Sequence, residues 1–289
     1  MYIVGGTASE NVAKNLCKEL QATYVKKVSK RFPDDELYIQ ILDDISKEHV
    51  IIVQTTYPDQ KIIELFLLQD AVKEAGAKEI TVVIPYFGYA RQDTKFKEGE
   101  PISAKAMAKL ISLNADKTIT IDPHKEHILD FFTIPSYSCS AIPEIAKYLE
   151  KKEDIDMILA PDKGALERVK QAAKIMRCDF DYMEKTRIDG TTIEIKPKNL
   201  KAKNKNVAII DDIISTGGTM AKSIKQLKKN DAKKVVVACT HGLFADDAIK
   251  KLNSAGCDEI ISTDTIESKF SKVKIAPSIT RLFHQVNLR

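Results

Sequence analysis

Val207-Ala208-Ile209-Ile210-Asp211-Asp212-Ile213-Ile214-Ser215-Thr216-Gly217-Gly218-Thr219 is the stretch on which the fold turns. Its first four residues are apolar without a break, which predicts a strand buried on both faces. Two carboxylates stand at the C-terminal end of that strand. A small hydroxylated turn with two glycines follows and opens a helix predicted over Thr219 to Lys229. Backbone N–H groups at such a helix start, with Ser and Thr hydroxyls, form a cradle suited to a phosphate. The acidic pair lies about one sugar length from it and can accept hydrogen bonds from vicinal hydroxyls. Acids that merely cap a turn would not require strand, pair and phosphate loop in this order. The stretch predicts a sugar-phosphate site.

The same alternation extends in both directions. Strands are predicted at Tyr2 to Val4, His49 to Gln54, Glu79 to Ile84, Lys117 to Ile121, Met157 to Ala160, Lys233 to Ala238 and Glu259 to Ser262. Between them, apolar residues return at three- and four-residue steps over Ser9 to Leu20, Lys61 to Ala75, Ser103 to Leu113, Gly164 to Met176 and Asp246 to Ala255. Strands alternating with crossover helices predict α/β architecture with mainly parallel sheets, whose strand C-termini share one edge. A chain of 289 residues suits two cores. Ser-Cys-Ser-Ala-Ile-Pro at Ser138 to Pro143 interrupts the periodicity, giving domains 1–141 and 142–289.

Composition excludes other classes. Apolar residues make up 44% and charged residues 30%, too much burial material for a disordered chain. Basic residues exceed acidic ones by 45 − 41 = 4, spread along the chain instead of clustered, so nucleic acid is not expected as a partner. The densest basic stretch, Lys196 to Lys205, reads as a solvated linker or turn. Cys17, Cys139, Cys178, Cys239 and Cys257 stand singly, as structural thiols do. No leader pattern follows Met1 and no apolar run approaches bilayer length, so the expected location is the cytoplasm.

Four more segments carry polar chemistry. Arg31-Phe32-Pro33-Asp34-Asp35-Glu36 sets an aromatic ring beside carboxylates, able to stack on a purine, though Pro-Asp also makes an ordinary turn. After a predicted strand, Pro85 to Asp93 includes Arg91, suited to phosphate or a base face, and Gln92, suited to a polar edge. Asp122-Pro123-His124-Lys125-Glu126-His127 also follows a strand; a lone His is more often structural, and Lys125 disfavours a dedicated metal cage. Ala160-Pro161-Asp162-Lys163-Gly164-Ala165 leads into a helix whose N-terminus can receive pyrophosphate. Glu184-Lys185-Thr186-Arg187 is expected to be a loop after a strand at Phe180 to Met183, offering two cations to a phosphoryl-transfer transition state.

Together these segments resemble the ribose-phosphate pyrophosphokinases, closest to the shorter archaeal type, over nearly the whole chain from Phe32 to His241. The resemblance implies two similar type I phosphoribosyltransferase-like domains, and transfer of pyrophosphate from Mg-ATP to the 1-hydroxyl of ribose 5-phosphate in nucleotide biosynthesis. It assigns ATP to Phe32, Asp34, Asp35, Glu36, Arg91 and Gln92, and Mg2+ to His124 and Asp162. Ribose 5-phosphate falls to Arg187, Asp211, Asp212, Ser215, Thr216, Gly217, Gly218 and Thr219, and catalysis to Lys185 and Arg187. It also implies a homodimer or higher homo-oligomer, with the Phe32 loop of one subunit completing the ATP site of another. The chain departs from common family patterns at Ser215, Phe96, Lys163, Ala165 and Pro123. A base phosphoribosyltransferase would share the sugar-phosphate loop but not the Phe32 and Arg91 segments. A catalytically silent regulatory relative would be marked by loss of His124, Lys185 or Arg187, and all three are present.

Overall fold

Residues 1–152, 154–187, 193–197 and 202–287 are described by the structure, a computed structural model. In the first unit the predicted alternation gives β1 (Tyr2–Gly5), α1 (Glu10–Leu20), β2 (Thr23–Tyr24), β3 (Lys27–Arg31), β4 (Leu37–Ile41), β5 (His49–Val53), α2 (Gln60–Glu74), β6 (Glu79–Ile84), α3 (Ser103–Ile111), β7 (Lys117–Ile121) and β8 (Ser136–Cys139). The sheet order is β2-β1-β5-β6-β7-β8, with every pair parallel. Central strands carry unbroken apolar runs because helices cover both faces; Val50 to Val53 are wholly buried. β3 and β4 form a separate antiparallel hairpin that sequence periodicity does not reveal. Arg31 pairs with Leu37, leaving Phe32 to Glu36 as its turn.

The second unit contains α4 (Ile142–Lys152), β9 (Met157–Ala160), α5 (Leu166–Met176), β10 (Asp179–Arg187), β11 (Ile193–Pro197), β12 (Asn206–Ile214), α6 (Gly218–Lys229), β13 (Lys234–Gly242), α7 (Ala248–Ser254), β14 (Glu259–Thr263) and β15 (Ser271–Val273). Its order is β11-β10-β9-β12-β13-β14-β15, parallel except for β10 with β11. Alternation within β12 explains the layers. Val207 and Ile209 join a core with Met220, Ile224 and Leu227 of α6, whereas Ala208 and Ile210 join one with Val169, Ala172 and Ala173 of α5.

The last helix, α8 (Ala276–Gln285), corrects the expected domain limits. The two compact units are Met1–Ser140 with Ile275–Arg289, and Ala141–Lys274. Pro277 starts α8, which packs on α1 with Ile279 and Phe283 fully buried, so the chain's end belongs to the first unit and not to a 142–289 domain. The basic stretch is also corrected in part: Lys196 and Pro197 close β11, and 198–201 lie outside the described residues. No helix among the described residues is long and apolar enough to cross a membrane.

Candidate functional site

β12 does not stop at Ile210 but continues to Ile214, so Asp211 and Asp212 lie within a strand instead of after one. Pairing with β13 sustains it, through Asp211 with Cys239 and Ile213 with His241. Val207 and Ile209 face the α6 layer and Ala208 and Ile210 the α5 layer, whereas the two acids come together, their carboxyls within hydrogen-bonding reach of each other. The Asp212 N–H donates to Asp211 Oδ1 at 2.9 Å. Arg168 of α5 donates from Nη2 to Asp212 Oδ2 at 3.4 Å. Burial, then the adjacent charge of Asp212 and a smaller contribution from Asp162, pushes the Asp211 carboxyl up to about 8. Asp162 itself accepts from the Gly164 N–H at 2.9 Å, fixing the turn into α5.

The predicted phosphate cradle follows. Gly217 adopts φ +72°, a left-handed conformation that L side chains rarely adopt, and an added Cβ there would lie 3.3 Å from the Ala248 carbonyl. Among the described residues, no hydrogen bond engages the backbone N–H groups of Ser215 to Thr219 or the hydroxyls of Ser215, Thr216 and Thr219. These donors converge at the start of the twelve-residue helix α6. A wall formed by the end of β13 and the segment after it holds the turn: the Phe244 N–H donates to Ile214 O at 3.0 Å, and the Ala245 N–H to Ser215 O at 3.1 Å. At its root, buried His241 meets the Thr265 hydroxyl at 3.0 Å through Nδ1. The hydroxyls of Thr265 and Thr263 both reach the Thr240 carbonyl. Arg168 and this wall escaped sequence reading. The polar Thr240-His241-Gly242 at a strand's end was the available signal for the wall, whereas Arg168 looks like any helix-surface arginine.

In the first unit, Phe32 is 45% exposed at the hairpin tip, its ring edge-on to Tyr38 with centroids 5.6 Å apart. The tip closes on itself through Phe32 N to Glu36 O at 2.8 Å and Glu36 N to Asp34 Oδ1 at 3.2 Å. Asp35 pairs with Arg31 at 3.3 Å. After β6, Arg91 is exposed, and the Gln92 side-chain carbonyl accepts from Ser103 Oγ. Buried Asp93 binds Lys125 at 3.3 Å and His127 at 3.1 Å, tying the Arg91 loop to the His124 loop. His127 thus acquires a role that sequence did not assign. No hydrogen bond, ion pair or ring contact joins Phe32 to Glu36 with Arg91 or Gln92 among the described residues.

The expected loop at Glu184 to Arg187 is corrected. β10 runs through Arg187, because β11 supplies an antiparallel partner, with Lys185 opposite Ile195 and Arg187 opposite Ile193. The side chains of Lys185 and Arg187 lie outside what the structure describes.

Comparison with known proteins closes the argument on the fold. Residues 1–114 match the N-terminal domain of ribose phosphate pyrophosphokinase, and 140–275 match the phosphoribosyl transferase domain. A ribose-phosphate pyrophosphokinase of Pyrococcus furiosus is 43% identical over 282 residues, covering 97% of this chain and 99% of that one. The chain belongs to the ribose-phosphate pyrophosphokinase family. A relative of the same name from Methanosarcina mazei is 43% identical, covering 96% of this chain and 94% of its own. The crystal structure of phosphoribosylpyrophosphate synthetase from Mycobacterium smegmatis superposes with a TM-score of 0.84 at 27% identity, covering 99% and 98% of the two chains. Membership of this enzyme family separates the chain from base phosphoribosyltransferases: a ribose-phosphate pyrophosphokinase matches 97% of it, and residues 1–114 match the N-terminal domain of that family.

Proposed function

We propose that this enzyme transfers the β,γ-pyrophosphoryl group of ATP to the 1-hydroxyl of ribose 5-phosphate, releasing AMP. The observation that carries the reading is the run of N–H and hydroxyl donors from Ser215 to Thr219 that no group among the described residues engages, two residues after the Asp211–Asp212 pair. A 5-phosphate fits the first, and sugar hydroxyls fit the second. Arg187 is assigned to the sugar phosphate as well. The ribose O1–Pβ bond forms as the Pβ–O bond to the α-phosphoryl group breaks, AMP leaves with the bonding pair, and the hydroxyl proton passes to solvent. Lys185 and Arg187 are assigned to the charge that builds on the transferring group. No covalent enzyme intermediate is required; positioning and charge stabilisation supply the catalysis.

Mg2+ is proposed as the metal, with His124 and Asp162 as its protein contacts. Among the described residues no set of three or more His, Cys, Asp or Glu side chains forms a ready cage. Mg2+ keeps waters and binds mainly through phosphate oxygens, so it needs few protein ligands. Bound there, it would screen the triphosphate charge. Phe32, Asp34, Asp35 and Glu36 are assigned to adenine together with Arg91 and Gln92, and the reaction to the cytoplasm.

Self-association completes the proposal. α2 buries Ile62, Leu65 and Leu68, yet exposes Ile63 at 56% and Leu67 at 38% one turn apart, an apolar face suited to a second copy. Mixing inactive Phe32→Ala and Arg91→Ala proteins under subunit exchange should regenerate intact sites; silent mixed dimers would defeat the shared site. For the reaction itself, protein, Mg2+, ATP and ribose 5-phosphate should yield AMP and phosphoribosyl diphosphate. ADP as sole nucleotide product would overturn it.

A further inference from the structure

Arg168 stands in the first turn of α5, where a cation opposes the positive end of the helix dipole. Its compensation is Asp212. The guanidinium Nη2 reaches Asp212 Oδ2 at 3.4 Å, with the side chains only 23% and 8% exposed. Among the described residues the Arg168 side chain makes no other hydrogen bond. The Asp211 carboxyl lies within hydrogen-bonding reach of Asp212 and brings no cation to it. A carboxylate this buried, beside a second carboxyl, is stabilised by a counter-charge, and Arg168 supplies one.

We infer that Arg168 is a positioning residue of the sugar site, holding the Asp212 carboxylate in the orientation that accepts a ribose hydroxyl. The inference rests on the assignment of the acidic pair to ribose 5-phosphate. Arg168 acts through Asp212, and the contact is a single N–O approach instead of a two-pronged fork, so a lysine can supply most of it.

Steady-state kinetics on the full-length enzyme test this with Arg168→Gln, Arg168→Lys, Asp212→Asn and the double variant Arg168→Gln/Asp212→Asn. Arg168→Gln should raise KM for ribose 5-phosphate about tenfold while KM for ATP changes less than about twofold. Arg168→Lys should recover most of the loss. The double variant should be no worse than Asp212→Asn alone, because the arginine has nothing left to orient. Losses that add in the double variant, or a lysine as defective as glutamine, overturn the inference even if Asp212→Asn affects ribose 5-phosphate alone. If Asp212→Asn raises KM for both substrates equally, the sugar-site assignment falls and the inference with it. Thermal unfolding of each variant separates these outcomes from loss of fold, and the charge-conserving lysine keeps the test decisive if glutamine unfolds.

Discussion

Both units contain a parallel strand, a turn of small residues and a helix, yet the two turns use their donors differently. In the first, after β1, the N–H of Gly6 donates to Val53 O, that of Ser9 to Gly6 O, that of Ala8 to Gln54 Oε1 and that of Thr7 to Glu64 Oε1. Glu64 is 1% exposed and also accepts from the Thr7 hydroxyl, Gln54 Nε2 and Lys61 Nζ. Gly6 admits this arrangement, since a Cβ would lie 2.2 Å from Gln54 Oε1. In the second unit the donors of Ser215 to Thr219 have no such partner among the described residues. The architecture alone therefore does not make a phosphate site. The first turn meets a carboxylate of its own chain, and the second, among the described residues, does not.

The hardest blow to this contrast would come from the second unit's β10–β11 ribbon. Lys185→Ala should leave the fold intact and cut turnover by about 10² or more, the scale of losing a preorganised transition-state donor. Near-native turnover in a folded variant would move the chemistry away from the ribbon. Next in size, Asp211→Asn and Asp212→Asn should weaken productive use of ribose 5-phosphate about tenfold to a hundredfold. Calorimetry with a nonhydrolysable Mg-ATP analogue should show little change; equal losses for both ligands would take the acidic pair away from the sugar.

The first unit offers the converse experiment. Glu64→Gln removes a charge that four donor groups share, and should lower stability by about 1–3 kcal/mol in urea unfolding. KM for ribose 5-phosphate should stay within about twofold. A large kinetic change with little loss of stability would mean that both turns serve ligands.

The smallest effect sharpens the comparison through pH. Burial would raise the Glu64 carboxyl, but hydrogen bonds from Thr7 and the charge of Lys61 outweigh it and hold the group below its ordinary value. Its stabilisation is present above that ordinary value and lost as pH falls through the lowered one. Asp211 runs the other way: between its ordinary 3.8 and about 8 the folded protein retains a proton that the unfolded chain releases, so its contribution falls as pH rises. In ligand-free protein, the melting-temperature advantage of Asp211→Asn over the native enzyme should grow by a few °C, roughly, from pH 4 to pH 8 and then level off. A gap independent of pH would remove the buried proton from Asp211.

Much of this was legible in sequence because buried parallel strands advertise themselves. Glu79–Ile84, Lys117–Ile121 and Met157–Ala160 fall where their apolar runs place them. The β3–β4 hairpin was hidden, since its half-buried residues lack a continuous apolar run. β10 and β12 outrun their apolar signals because neighbouring strands, and not their own residues, sustain the pairing at Glu184 to Arg187 and Asp211 to Ile214. The Gly-rich turn after β12 could be read locally. Partners from distant helices, such as Arg168 on Asp212 and Glu64 on Thr7, leave no local mark.

The return of α8 to the first unit bears on how the chain comes into being. With Ile279 and Phe283 seated in that unit, its core lacks two fully buried side chains until the last helix has been synthesised. Ala141–Lys274 by contrast is contiguous and available earlier. On the ribosome, Ala141–Lys274 is therefore complete before the first unit, which waits for a helix made after it.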